Sequence, residues 1–284
     1  MPKNLDNIIE QIDELPTLQQ VAVRLLQIID NPKSTVQDVN RVVTQDPALA
    51  SKILKLVNSA YIGLQNKVSN LQQAIVMLGF NMIKGMALSV SVFDVFTETL
   101  EGDEKFRRDF WMHSITTATV CRQVASDVGG VDPEVAFVLG LLHDIGKIAL
   151  DIHAHEEWRA IMKAVREEKT TFFTAERKVL ETDHAEIGGW LAKNWQLNED
   201  LVNGIRGHHR ESMWKTSKLG CVLHFANTVS RIIQEGEVKD AVTNVQLKKS
   251  TVALGIKTKD VTGHAQFAKE ELKRSAAFLE TLQE

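Results

Sequence analysis

The sequence predicts an all-α protein, and three observations carry that prediction. Apolar residues recur at spacings of three and four along most of the 284-residue chain, which is the period of a helix. Only five prolines interrupt it. Runs of alternating β-branched residues, the mark of strands, are few. A hydrophobic content of 44 % suffices for one large core or two modest ones, at about 100–200 residues per domain.

The elements follow in order. Pro16 precedes Leu18, Val21, Leu25, Ile28 and Ile29, an amphipathic first helix that Asn31-Pro32 should stop. Ser34 or Thr35 can cap the next helix, which carries Val36, Val39, Val42 and Val43. Asp46-Pro47 sets a capping carboxylate before a proline whose missing N–H costs nothing at the first helical position, and Leu49, Ile53, Leu54 and Val57 follow on one face. Ser69-x-x-Gln72 has the form of a capping box for a short helix with Ala74, Ile75 and Leu78, and Gly79 can supply its exit. A long apolar helix from about Met82 to Val95 comes next.

The segment from Thr97 to Asp109, with Glu98, Glu101, Gly102, Asp103, Glu104 and Lys105, is the one clear drop in hydrophobicity and reads as a domain boundary. It divides the chain into an N-terminal helical lobe over residues 1–98, a second lobe over 106–235 and a C-terminal extension over 236–284. In the second lobe the helices read as Phe110–Ser126, Pro133–Asp151, Ala154–Glu168, Thr174–Leu180, Asp183–Trp195, Glu199–Arg210 and Ser217–Gln234. A lysine-spotted stretch from Lys239 to Lys259 then leads to a polar amphipathic helix.

Composition excludes several functions. With 33 Lys plus Arg against 37 Asp plus Glu, the net charge of −4 gives no global pull toward nucleic acid or anionic lipid. Lys239, Lys248, Lys249, Lys257 and Lys259 lack interleaved aromatics and read as a solvated face rather than a nucleic-acid site. Cys121 and Cys221 are far apart, so neither a disulfide framework nor a cysteine-built zinc site is expected, and a reducing, cytoplasmic setting fits best. The longest uncharged run, between Lys67 and Lys84, contains Ser69, Asn70, Gln72 and Gln73, so no bilayer crossing is expected where roughly 20 mostly apolar residues are needed. No export signal is visible at the N-terminus.

Chemistry concentrates in the histidines. Asp109 and His113 are four apart and share one helix face. His143-Asp144 interrupts the apolar run Val138-Leu139-Gly140-Leu141-Leu142 and is followed by Ile145-Gly146-Lys147. An ionised Asp there costs several kcal/mol unless paired or metal-bound. His184 opens a helix behind Asp183, and His208-His209 closes another. Each has a plainer reading: a surface pair for His208-His209, a buried ion pair for His143-Asp144, helix-terminal polar residues for Asp109 and His184. Taken together, imidazole nitrogens with carboxylate oxygens suit zinc, iron or manganese.

Residues from about Leu15 to Val92 resemble the N-terminal part of the HDOD family, through Leu15-Pro16-Thr17-Leu18, Asp46-Pro47-Ala48-Leu49, Leu56-Val57-Asn58-Ser59-Ala60-Tyr61 and Ala74-Ile75-Val76-Met77-Leu78-Gly79. The resemblance continues through His113 and His143 to about Ile233 and implies a helical bundle related to the HD phosphohydrolases, with an N-terminal lobe and a metal-bearing HD-like lobe. HDOD proteins are usually regarded as signalling or regulatory modules, and many lack the metal ligands of their HD relatives. Here those positions are retained. Set beside the dinuclear HD-GYP phosphodiesterases, Asp109 is similar in position to an acidic ligand, His113, His184, His208 and His209 to histidine ligands, and His143-Asp144 to the HD pair. Asp144 corresponds to the carboxylate shared by two metals, and Lys147 to the lysine that contacts substrate phosphate.

The resemblance has two departures. The family's final ligand is an Asp, whereas the matching position here is Asn227, a neutral and weaker donor. His224 lies three residues before it and reads as a core histidine. No Gly-Tyr-Pro run occurs between Arg210 and Gly220, and Tyr61 is the only tyrosine, so hydrolysis of cyclic-di-GMP is not supported. Two function classes follow from the resemblance. One is a signalling or regulatory protein with an HD-type dinuclear site (Fe, Mn or Zn) and a protein partner. The other is a metal-dependent phosphohydrolase acting on a nucleotide or other phosphoester, with Asp144 and Lys147 in catalytic roles.

Overall fold

A computed structural model of the chain describes residues 33–59, 62, 64–97, 104–236 and 244–283, with 8, 9, 21, 24, 25, 27 and 28 before them. Among the described residues every regular element is a helix. Ile8 and Leu25 are fully buried. Pro16, Leu18, Ile29, Asn31-Pro32, the Leu15–Leu18 motif, Ala60, Tyr61, residues 98–103 and Lys239 lie outside the described residues.

Local chemistry explains the first elements. Thr35 caps α1 (Val36–Thr44) and Asp38 returns the bond in a full capping box. Asp46 accepts from the Leu49 N–H to cap α2 (Pro47–Val57), with Pro47 at its first position. For α3 (Leu71–Leu78) the cap is one residue later than predicted. The Asn70 side chain accepts from the Gln73 N–H, while the Ser69 N–H donates to the Gln73 side chain. Gly79, at φ +83°, turns the chain directly into α4 (Phe80–Thr97).

Helix α5 (Glu104–Val128) begins at Glu104 rather than at Phe110. The polar stretch continues it, because Lys105 and Asp109 pair one turn apart and Phe106 packs edge-on against Trp158 at 4.6 Å. The predicted single helix Pro133–Asp151 is instead two, α6 (Pro133–Leu142) and α7 (Ile145–His153). The break falls at Asp144, whose backbone sits at φ −99°, ψ 8°, outside the helical well. There follow α8 (His155–Glu168), α9 (Phe172–Leu180), α10 (His184–Asn194) and α11 (Glu199–Gly207). After them come α12 (Glu211–Trp214), α13 (Lys218–Glu235), α14 (Val245–Leu254) and α15 (Thr258–Gln283). Helix α12 lies between the two helices predicted over Glu199–Arg210 and Ser217–Gln234, and α14 in the lysine-spotted stretch. No helix among the described residues is long and apolar enough to cross a membrane.

One continuous apolar cluster runs from Val39 of α1 through Leu88, Leu139 and Phe225 to Leu279 of α15. Helix α4 packs on α6, and α2 on α15, so the N-terminal helices share this core. Two glycines set the approaches that matter for function. A Cβ on Gly140 would stand 2.7 Å from the Ala118 Cα, which lets α6 lie close against α5. A Cβ on Gly146 would stand 2.0 Å from the His184 carbonyl oxygen, so α7 meets the first turn of α10 backbone to backbone. Gly146→Ala should therefore lower stability by at least about 1–3 kcal/mol, the usual cost of overpacking, read as a lower denaturation midpoint. A variant as stable as the parent would contradict the close approach.

Candidate metal centre

Four helix ends and the middle of two long helices meet at one buried point. His143 closes α6, and its Nδ1 donates 2.8 Å to the carbonyl of Gly140. His208 closes α11 in the same manner, with Nδ1 donating 2.6 Å to the carbonyl of Ile205. Each ring thus satisfies one of the carbonyls a helix leaves open at its C-terminus. His184 opens α10 behind its cap Asp183, and His209 follows His208. His113 lies on α5 and Asn227 on α13, with the His113 Nε2 3.1 Å from the Asn227 Oδ1.

Asp144 stands at their centre, 2 % exposed. It occupies the N-cap of α7 yet its carboxylate makes no capping bond, unlike Asp46, Asp132 and Asp183, which cap their helices. The two oxygens face different partners. Oδ1 lies 3.1 Å from the His184 Nε2 and 3.5 Å from the His208 Nε2. Oδ2 lies 3.4 Å from the His143 Nε2, 4.0 Å from the His113 Nε2 and 2.5 Å from the Lys147 Nζ. Two groups with metal-ligand geometry share this residue: Asp144 with His184, His208 and His209, and Asp144 with His113 and His143.

Electrostatics shows what the arrangement lacks within the protein. Burial above all, with neighbouring positive charge, pushes His113 down to about 3 and His208 down to about 4, and moves His209 in the same direction. Burial also opposes ionisation of Asp144, but the charges of His143 and Lys147 outweigh it and hold the carboxyl well below the usual range. His184 goes the other way. Burial disfavours its cation, but the Glu176 carboxylate, with Oε2 2.5 Å from the His184 Nδ1, raises it to about 9. A neutral ring that donates through Nδ1 has only a lone pair at Nε2. The Nε2 of a neutral His208 therefore meets the Asp144 carboxylate acceptor against acceptor. The His143 Nε2 and the Asp144 Oδ1 are buried with no hydrogen-bond partner. A cation among them resolves that conflict, and nitrogen with carboxylate oxygen is a donor set for zinc, iron or manganese. The residues present fit a divalent metal.

Not every predicted residue joins the cluster. Asp109 is not brought in: its carboxylate pairs with Lys105 at 2.6 Å, half-exposed, and belongs to neither metal-competent group. Helical spacing put it on the face of His113, but side-chain direction and the nearby lysine turn the carboxylate elsewhere. His224 stacks on Trp214 at 3.9 Å, apart from the cluster. Sequence reading missed Glu176, which is fully buried on α9 and carries the hydrogen bond that orients His184. Its signal was a carboxylate midway in the stripe Phe172, Glu176, Leu180 at spacings of four. Phe173 also packs on His209 at 4.7 Å. Asp183 accepts from both Arg177 and Arg210 at 3.5 Å and so braces the segment after the histidine pair.

Comparison with known proteins agrees with this description. The profile of the HDOD domain matches residues 15–211. A solved structure from Shewanella amazonensis SB2B, provisionally named a phosphohydrolase, is 26 % identical and superposes with a TM-score of 0.77 over 97 % of each chain. An HDOD domain protein of unknown function from Geobacter sulfurreducens, 23 % identical, shares the fold with a TM-score of 0.83 over 97 % of this chain and 96 % of that one. An uncharacterised protein of Treponema pallidum (strain Nichols) is 28 % identical over 206 residues, 72 % of this chain and 39 % of that protein. The chain thus spans about two-fifths of the length of that relative.

Two outcomes check the geometry. Glu176→Gln should fold as the parent does and lose about 10- to 100-fold in affinity for divalent metal, the usual effect of removing a partner that orients a ligating histidine; unchanged affinity would contradict the role given to Glu176. Asp109→Asn should leave metal content, measured by mass spectrometry on untagged protein, equal to the parent's. Loss of metal there would restore the sequence-based assignment of Asp109.

Proposed function

Because the chain belongs to the HDOD family, we propose that it is a regulatory protein whose HD-type centre binds divalent metal and, through it, a phosphorylated small molecule or nucleotide. The observation that carries this reading is the buried Asp144 carboxylate set among the Nε2 atoms of His143, His184 and His208, with the His143 Nε2 and the Asp144 Oδ1 left without hydrogen-bond partners. On this reading His113, His143, Asp144, His184, His208, His209 and Asn227 would line the centre, its two ligand groups sharing Asp144. Bound divalent ions would supply positive charge to fix a phosphoryl group. Lys147, with its side chain 19 % exposed, adds a cation at the edge of the site. The division proposed from the sequence, 1–98, 106–235 and 236–284, places all of these ligands in the middle segment. Both cysteines are free and buried, which fits a reducing, cytoplasmic setting. A signalling partner fits the family, and nucleic acid does not fit the charge balance, since Lys249 is tied to Glu211 at 2.6 Å.

A second reading, a phosphohydrolase with Asp144 and Lys147 as its catalytic pair, is favoured by that lysine beside the shared carboxylate and by the name of the Shewanella relative. Asn227 weighs against it, because its amide contributes only a neutral oxygen beside His113. A screen of phosphomonoesters and phosphodiesters with manganese, iron and zinc supplied separately decides between the two. The regulatory reading expects nucleotide binding that needs metal, seen as a thermal shift, without turnover. Turnover in the parent that disappears in Asp144→Ala would establish the enzyme instead.

A further inference from the structure

This inference rests on the reading that the cluster holds divalent metal. We infer that its two halves are unequal: the Asp144, His184, His208, His209 half takes one divalent ion firmly, whereas in the Asp144, His113, His143 half the Lys147 ammonium stands in for a second ion. The charges on each side carry the argument. Ligating imidazoles must be neutral, so only the carboxylates can offset the charge of a metal, and the lysine competes with it. The first half has the Asp144 Oδ1 directly and, behind His184, a second full carboxylate in Glu176. That pair matches a dication.

The other half has no such reserve. It shares the one charge of Asp144 through Oδ2, and that oxygen is already in a 2.5 Å ion pair with the Lys147 Nζ. Its remaining donors are His113, His143 and the Asn227 amide, all neutral as ligands. A dication there would sit beside an ammonium with a single carboxylate between them, and like charges at such separations repel strongly in a site screened from water. The orienting bonds differ as well. His143 is held by a backbone carbonyl, whereas His184 is held by a carboxyl side chain. Lys147 is itself anchored, its Nζ lying 5.4 Å over the ring of Phe172, so the ammonium is kept at the carboxylate by a second contact on α9.

The test is a titration of the full chain, stripped of metal and without a histidine tag, with Mn2+ alone, followed by calorimetry and by electron paramagnetic resonance. The expected parent binds one tight Mn2+ with the spectrum of an isolated ion. Lys147→Met should keep that ion and raise affinity for a second by at least about tenfold, with the spectrum becoming that of two coupled ions. Asn227→Asp, which adds a charge to the weak half without touching the lysine, should move the second ion in the same direction. A parent that takes two ions with equal affinity, or two variants that leave the second ion as weak as before, would overturn the inequality alone. A parent that takes no Mn2+ would overturn the metal reading and this inference with it.

Discussion

A single carboxylate withdrawn from water at the junction of α6 and α7 constrains everything around it. Taking an ionised Asp into the interior costs several kcal/mol unless other charges and donors compensate. For Asp144 the compensation comes from Lys147, two residues beyond Ile145 on α7, and from imidazoles carried by α5, α6, α10 and the end of α11. Because the compensating groups come from distant parts of the chain, they also tie those helices to a common point. The price of the buried anion is thus repaid in position, since α7 and α10 cannot separate without stranding it.

The ligand-bearing positions are helix ends, and that is a physical choice. A helix terminus leaves backbone groups unpaired, and His143 and His208 use their Nδ1 hydrogens to satisfy carbonyls three residues back. The same bond fixes each ring and turns its Nε2 inward. Asp144 makes the opposite use of a terminus. It sits where an aspartate ordinarily caps a helix but spends neither oxygen on its own backbone, which leaves both free to face the histidines. Gly140 and Gly146 remove the side chains that would keep these ends apart.

The family relationship and the local chemistry fit together. The retained histidines form a donor set for a divalent metal, while Asn227 and the Lys147 ion pair leave one side of the cluster poorer in negative charge than the other. Glu176 gives the richer side its character, acting through His184 rather than at the metal-competent atoms themselves.

Much of the protein was legible in the sequence, because helical periodicity and capping are local. The all-helical class followed from apolar spacing, and the cap Asp46 from its place before Pro47, while Thr35 was one of two residues offered for its helix. The convergence of His143 and Asp144 with the other histidines was expected from residue types and family resemblance. What local signals could not decide were the break at Asp144, the outward pairing of Asp109 with Lys105, and the bond from Glu176 to His184. An apolar run looks the same whether it forms one helix or two, and a residue's place on a helix face leaves its rotamer and partner open. Those outcomes depend on groups brought together across the fold, where burial raises the cost of an unpaired charge, and only the tertiary structure sets which partners meet.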